Sequence, residues 1–203
     1  LFLFVGERSG APHPGALRAV KEGVAQLIGT FHEIRKYRAL ALFLLAYWLY
    51  IDGVNTIMKM AVDYGLALGL TTQDLIQAIL LTNFVAFPAA LAFGRLAAWI
   101  GARAGIYLGL AVYVLATVAA GFIDTEAEFY ALAVAVGLVQ GGVQSLSRSL
   151  FARLIPASRT AEYFGVYNML GKFAAIIGPV LAGVVALASG SQRYGLLSLL
   201  LLF

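Results

Sequence analysis

No cysteine occurs among the 203 residues, and histidine occurs only twice, at His13 and His32. A disulfide framework and a thiolate metal site are thereby excluded, and two histidines this far apart in sequence do not suggest a metal site. Charge is scarce too: Asp, Glu, Lys and Arg make up 12% of the chain, against 62% hydrophobic residues. A soluble domain carries about 25% charged residues, and much of its surface must face water. The bilayer is the better solvent for this composition. Signatures of enzyme chemistry are also missing. There is no nucleophile–histidine arrangement, no HExxH and no phosphate-cradling loop, so neither an enzyme nor a cofactor is expected. The net charge of +4 would hint at nucleic acid in a soluble protein. Here the basic residues sit between apolar runs, which indicates membrane topology and no nucleic acid.

What is present is a series of long uncharged runs. Residues 75–94, 104–123 and 129–147 carry no charge, and each meets or approaches the roughly 20 residues a span requires. The pattern predicts an all-α membrane protein, a bundle of helices at about 39–64, 74–96, 104–123, 129–151 and 162–188, with an incomplete sixth at 193–203. Nothing alternates with period two over barrel-length segments, so a β-barrel is not expected. The chain opens on "LFLFV" and closes on "YGLLSLLLLF". Both runs are too short to span, and the expectation is an internal piece of a longer protein.

Topology follows from Lys and Arg. Arg8, Arg18, Lys21, Arg35, Lys36 and Arg38 precede the first span, Arg95 and Arg103 lie between the second and third, and Arg148, Arg153 and Arg159 between the fourth and fifth. The opposite loops hold Arg193 alone. The basic side is therefore expected to be cytoplasmic. Within residues 15–38, Leu17, Val20, Val24, Leu27, Ile28, Phe31 and Ile34 recur at spacings of three and four between charged residues. This is an amphipathic helix, too polar to span, suited to the cytoplasmic headgroups or to a linker between bundles. Pro88 and Pro179 fall inside spans, and the pairs Gly105/Gly109 and Gly137/Gly141 permit close helix approach.

The first span carries an anomaly. "AYWLYIDGVNTIMKMAVDYG" contains Asp52, Asn55, Lys59 and Asp63. At about 100° per residue, Lys59 lies about 20° to one side of Asp52 and Asp63 about 20° to the other, with Asn55 near 60°. One narrow face collects them. A charge at a span centre costs roughly 2.5–3.5 kcal/mol, so this face should meet protein or water rather than lipid. Either an ion pair that fixes packing or a polar pathway accounts for it. Two further spans offer matching groups: Gln140 and Gln144 one turn apart, and Asn168 and Lys172 one turn apart. Lys172 can counter Asp52 across the bundle or hold a substrate carboxylate.

The connection "GRLAAWIGARAG", residues 94–105, resembles the loop signature of the major facilitator superfamily at Gly94, Leu96, Ala97, Gly101 and Arg103. It departs from that signature at Ala98, the acidic position, and at Trp99, the following basic one. "YWLYIDGVNTI", "GLVQGGVQSLSRSLFARLIP" and "AEYFGVYNMLGKFAAIIGP" look like the C-terminal half of its vacuole-effluxer-like branch. The resemblance implies that residues 1–5 end the sixth helix of a twelve-helix protein and 6–37 form its central cytoplasmic loop. Residues 38–203 would then be the C-terminal bundle, partnered by a missing N-terminal six-helix half. It further implies a secondary transporter in the lipid bilayer, in a bacterial cytoplasmic membrane, moving a small polar solute with amino acids as candidates. Asp52, Asn55, Lys59, Asp63, Gln140, Gln144, Asn168 and Lys172 are the expected solute or ion pathway. The alternative is a membrane sensor or scaffold whose buried charges only fix packing.

Overall fold

The computed structural model describes residues 16–203, and the expected helix end at 1–5, Arg8 and His13 lie outside the described residues. Among the described residues there are eight α-helices and no strand. They are α1 (Ala16–Lys36), α2 (Arg38–Ala67), α3 (Thr72–Ile100), α4 (Ala102–Ala120), α5 (Glu126–Leu154), α6 (Thr160–Phe173), α7 (Ile177–Ser189) and α8 (Gln192–Ser198), the last running into a 3-10 turn at Leu199–Leu202. α2, α3, α4, α5 and the α6–α7 unit are each long and apolar enough to cross a membrane. The chain is an all-α membrane bundle.

Two helix starts lie earlier than the uncharged runs suggest, and the reason is capping. Thr71 accepts from the Asp74 amide while Asp74 accepts from the Thr71 amide, and Thr125 and Glu128 make the same reciprocal pair. Each pair satisfies amide donors that a helix start otherwise leaves open, so Glu126 and Glu128 join the first turn of α5. Between α3 and α4 the chain turns on Gly101 alone, at φ +87°, a conformation that costs other residues more.

α5 is the central helix, packed along α3 and α4. Two glycines set its distance from α3: a Cβ on Gly137 would stand 2.7 Å from the Thr82 carbonyl oxygen, and one on Gly141 2.7 Å from that of Ala86. Lipid is as apolar as a helix face, so contact between such helices depends on close packing rather than on water exclusion. Polar ties join the remaining helices. The Tyr50 and Ser147 hydroxyls lie 2.6 Å apart between α2 and α5, and Tyr64 donates to the Ala120 carbonyl between α2 and α4. At the end away from the basic loops, Arg193 pairs with Asp124 and donates to the Ile123 carbonyl at 3.2 Å.

α1 packs on the basic end of the bundle against α6 and α2. Glu33 pairs with Arg159, which also pairs with Glu162, and Thr30 donates to Glu162 at 3.2 Å. The side chains of Leu17, Val20, Val24, Leu27 and Ile28, most of the expected apolar face, lie outside the described ones. Ile34 is buried and Phe31 half exposed. The helix thus docks on the bundle through its C-terminal half.

Candidate functional site

The expected span at 162–188 is not continuous. α6 ends at Phe173 and α7 begins at Ile177, with Ala174 at φ −76°, ψ 74° between them. Pro179 accounts for the break: it has no N–H to donate to residue 175, and its ring would clash with that carbonyl. In the first turn of α7 its missing N–H costs nothing. The break leaves a carbonyl end and an amide end inside the bundle, and α2 satisfies both. Asn55 donates through Nδ2 to the Ala174 carbonyl at 2.7 Å, and the Asp52 carboxylate accepts from the Gly178 amide through Oδ2 at 2.9 Å. A carboxylate at the N-terminus of α7 also complements its helix dipole.

The contact is close because residue 178 is glycine. A Cβ there would lie 2.1 Å from Thr56 Oγ1, 2.9 Å from Thr56 Cβ and 3.2 Å from Asp52 Oδ1. Asp52 and Thr56 are fully buried, and Asp52 Oδ1 and Thr56 Oγ1 have no hydrogen-bond partner among the described residues. The Asp52 carboxylate is therefore a packing and hydrogen-bonding element behind the polar surface rather than on it.

That surface is a separate open cleft of about 410 Å³ formed by α2, α5 and α6. Tyr47, Ile51 and Asn55 line it from α2, Gln144 and Arg148 from α5, and Tyr167, Asn168, Gly171 and Lys172 from α6. Tyr47 stacks on Tyr167 with ring centroids 4.2 Å apart, and Tyr167 stacks on Phe151 at 4.8 Å. Of these rings Tyr47 and Tyr167 line the cleft. Arg148 donates through Nη2 to Asn168 Oδ1 at 3.1 Å, with its guanidinium carbon 5.8 Å from the Phe164 ring centroid. Lys172 stands exposed in the last turn of α6, where the helix dipole favours a cation.

Of the sequence-derived candidates, the structure gathers Asn55, Gln144, Asn168 and Lys172 around one cleft. Asp52 lies behind it, and no ion pair joins Asp52 to Lys59 or Lys172 among the described residues. Lys59 and Asp63 are exposed further along α2, outside the cleft lining. Gln140, one turn from Gln144, keeps a buried side-chain oxygen without a partner among the described residues and does not line the cleft. Of the loop signature, Gly101 makes the α3–α4 turn, Gly94 is exposed in α3, and Leu96 is partly buried near its end. Arg103, at the start of α4, lines a different, mainly apolar cavity. Tyr47, Arg148, Thr56 and Gly178 are additions to the site. Tyr47 and Arg148 sit at four-residue spacing from Ile51 and Gln144, so helical register could have found them. The contact of Thr56 with Gly178 is a long-range approach that register does not reveal.

Comparison with known proteins agrees with this architecture. The model of the family "Vacuole effluxer Atg22 like" matches residues 1–203. An uncharacterized MFS-type transporter, YxiO, of Bacillus subtilis (strain 168) is 44% identical over 174 residues, covering 86% of this chain and 41% of the relative. Autophagy-related protein 22 of Yarrowia lipolytica (strain CLIB 122 / E 150) is 29% identical over 202 residues, covering 93% of this chain and 34% of the relative. The same protein of Saccharomyces cerevisiae (strain ATCC 204508 / S288c) is 25% identical over 205 residues, covering 91% and 39%. These names are those of transporters or effluxers, or of a member of the autophagy-related set, and none is that of an enzyme. The chain spans less than half the length of each of these relatives. The match over its whole length places the chain in the vacuole effluxer Atg22-like family.

Proposed function

We propose that this chain is the C-terminal bundle of a secondary active transporter that moves a small polar solute by alternating access, driven by an ion or proton gradient. The observation that carries the reading is the polar cleft of α2, α5 and α6 lying beside a broken helix whose two ends α2 holds through Asn55 and Asp52. Discontinuous helices near a membrane midplane are where transporters place their sites. A clamp of two hydrogen bonds is a joint that can open and close without unravelling either half-helix. The relatives named as an MFS-type transporter and the family named for a vacuole effluxer support the same conclusion.

In this reading Asn55, Gln144, Asn168 and Lys172 contact the solute, with Lys59, Asp63 and Gln140 further along the pathway, while Asp52 positions α7. A second six-helix half of the same protein closes the cleft from the far side. The basic end faces the cytoplasm of a bacterial cell, with the protein in its cytoplasmic membrane, as the asymmetry of Lys and Arg supports.

The test is solute exchange by the full-length protein in proteoliposomes across a panel of amino acids, sugars and organic acids. At least one solute should exchange, and Lys172→Gln should reduce its exchange while leaving membrane insertion intact. If no solute exchanges, the transport reading fails and a sensor or scaffold takes its place.

A further inference from the structure

We propose that the α2–α5–α6 cleft binds the transported solute by an oxyanion group, a carboxylate or phosphate, held between Arg148 and Lys172. The proposal rests on the transporter reading and names the substrate class of the same site.

The first ground is the charge of the lining. Two of its side chains are cationic, three are amides, and none is a carboxylate. The acids on the neighbouring elements do not neutralise it. Asp52 is fully buried and bonded to the Gly178 amide. Asp63 lies on α2 about 12 Å beyond Asn55 by helical rise, with the cation Lys59 between them. Glu162 lies on α6 about 15 Å before Lys172 and is taken by Arg159.

The second ground is how the cations are held. Arg148 uses one donor on Asn168 Oδ1 and rests near the Phe164 ring, which fixes the guanidinium while further donors stay unengaged. A guanidinium carries five donors in a planar fork that matches an oxyanion. Lys172 has no ion pair or hydrogen bond among the described contacts and stands exposed at the cleft. Because Asn168 Oδ1 accepts from Arg148, the amide of Asn168 is left to donate, and Gln144 offers a second donor from α5. The groups that converge here therefore donate to an anion. Neither cation has a carboxylate partner among the described residues, and an anionic solute is the partner that offsets both. The volume of about 410 Å³ suits a small organic anion.

The experiment is thermal unfolding of the full-length protein in phosphatidylcholine nanodiscs at constant ionic strength. The probes are acetate, succinate, inorganic phosphate, glycine, glycinamide, choline and glucose. At least one probe bearing an oxyanion should raise the midpoint, glycinamide should do less than glycine, and choline and glucose should do nothing. Lys172→Gln and Arg148→Gln should each weaken the effective oxyanion about 10- to 100-fold, the loss of a hydrogen bond to a charged group, while Lys172→Arg keeps most of the effect. If choline or glucose stabilises and both Gln variants respond like the wild type, the anion proposal is overturned and the transporter reading stands. If soluble probes do nothing but phosphatidylglycerol nanodiscs stabilise the wild type and not Lys172→Gln, a lipid headgroup fills the cleft and the solute proposal is overturned. If neither soluble probes nor lipid act and no solute exchanges in proteoliposomes, both readings fall.

Discussion

Substituting Gly178 by Ala tests the joint between α2 and the broken helix, because it adds one methyl group where α7 meets the Thr56 and Asp52 side chains. The new Cβ would sit 2.9 Å from Thr56 Cβ and 2.1 Å from Thr56 Oγ1. Carbon atoms prefer separations of about 3.5–4.0 Å, so α7 must retreat from α2 by about 0.6–1 Å even if the Thr56 hydroxyl rotates away. A retreat of that size stretches the 2.9 Å bond from Gly178 to Asp52 past the usual hydrogen-bond range. Overpacking costs about 1–3 kcal/mol and the weakened bond about 0.5–1.5 kcal/mol, so a loss of about 1.5–4.5 kcal/mol is expected. Reversible unfolding of the full-length protein in mixed detergent micelles measures it. Thr56→Gly removes both Oγ1 and Cβ, so the double variant should be less destabilised than the two single changes added together. Strict additivity, or a Gly178→Ala variant as stable as the wild type, would refute the close-approach argument.

Two further outcomes follow from the same geometry. Gly137→Ala should lose about 1–3 kcal/mol because its methyl group meets the Thr82 carbonyl at 2.7 Å, whereas Gly183→Ala in α7, with nothing within 4 Å, should be neutral or gain up to about 1 kcal/mol; unfolding in mixed micelles compares them. Asn55→Leu strands the Ala174 carbonyl and should cost about 0.6–1.7 kcal/mol, the range for hydrogen bonds between membrane helices, with faster amide exchange at residues 174–178 by mass spectrometry.

Much of the bundle was legible because its signals are local. Uncharged runs mark α3, α4 and α5, and the shared face of Asp52 and Asn55 follows from helical register alone. Register also gave the one-turn spacing that brings Asn168 and Lys172 to the same cleft. The break after Phe173 was not legible. Pro179 supplies its cause, but membrane helices often carry proline without breaking, because neighbours satisfy the freed carbonyl. Whether they do so by preserving the helix or by holding two separate ends depends on what stands opposite, and here that is Asn55 and Asp52. The contacts of Asp52 depend on its neighbours in the same way. Its charge marked the face correctly, but the nearby amide of Gly178 draws the carboxylate inward and away from the cleft. Arg148, one of the cations of the basic side, lines the cleft because it sits one turn after Gln144 on α5.

The central claim is that the α2–α5–α6 cleft opens alternately to the two sides of the membrane. With no cysteine in the 203 residues, Gln144→Cys places a single thiol in this part of the protein at the cleft wall. In oriented vesicles holding the full-length protein, with any cysteine outside these residues removed, a membrane-impermeant thiol reagent should label it from either side, and a transported solute should slow labelling from both. Labelling from one side only, unchanged by every solute that the protein exchanges, would contradict the account.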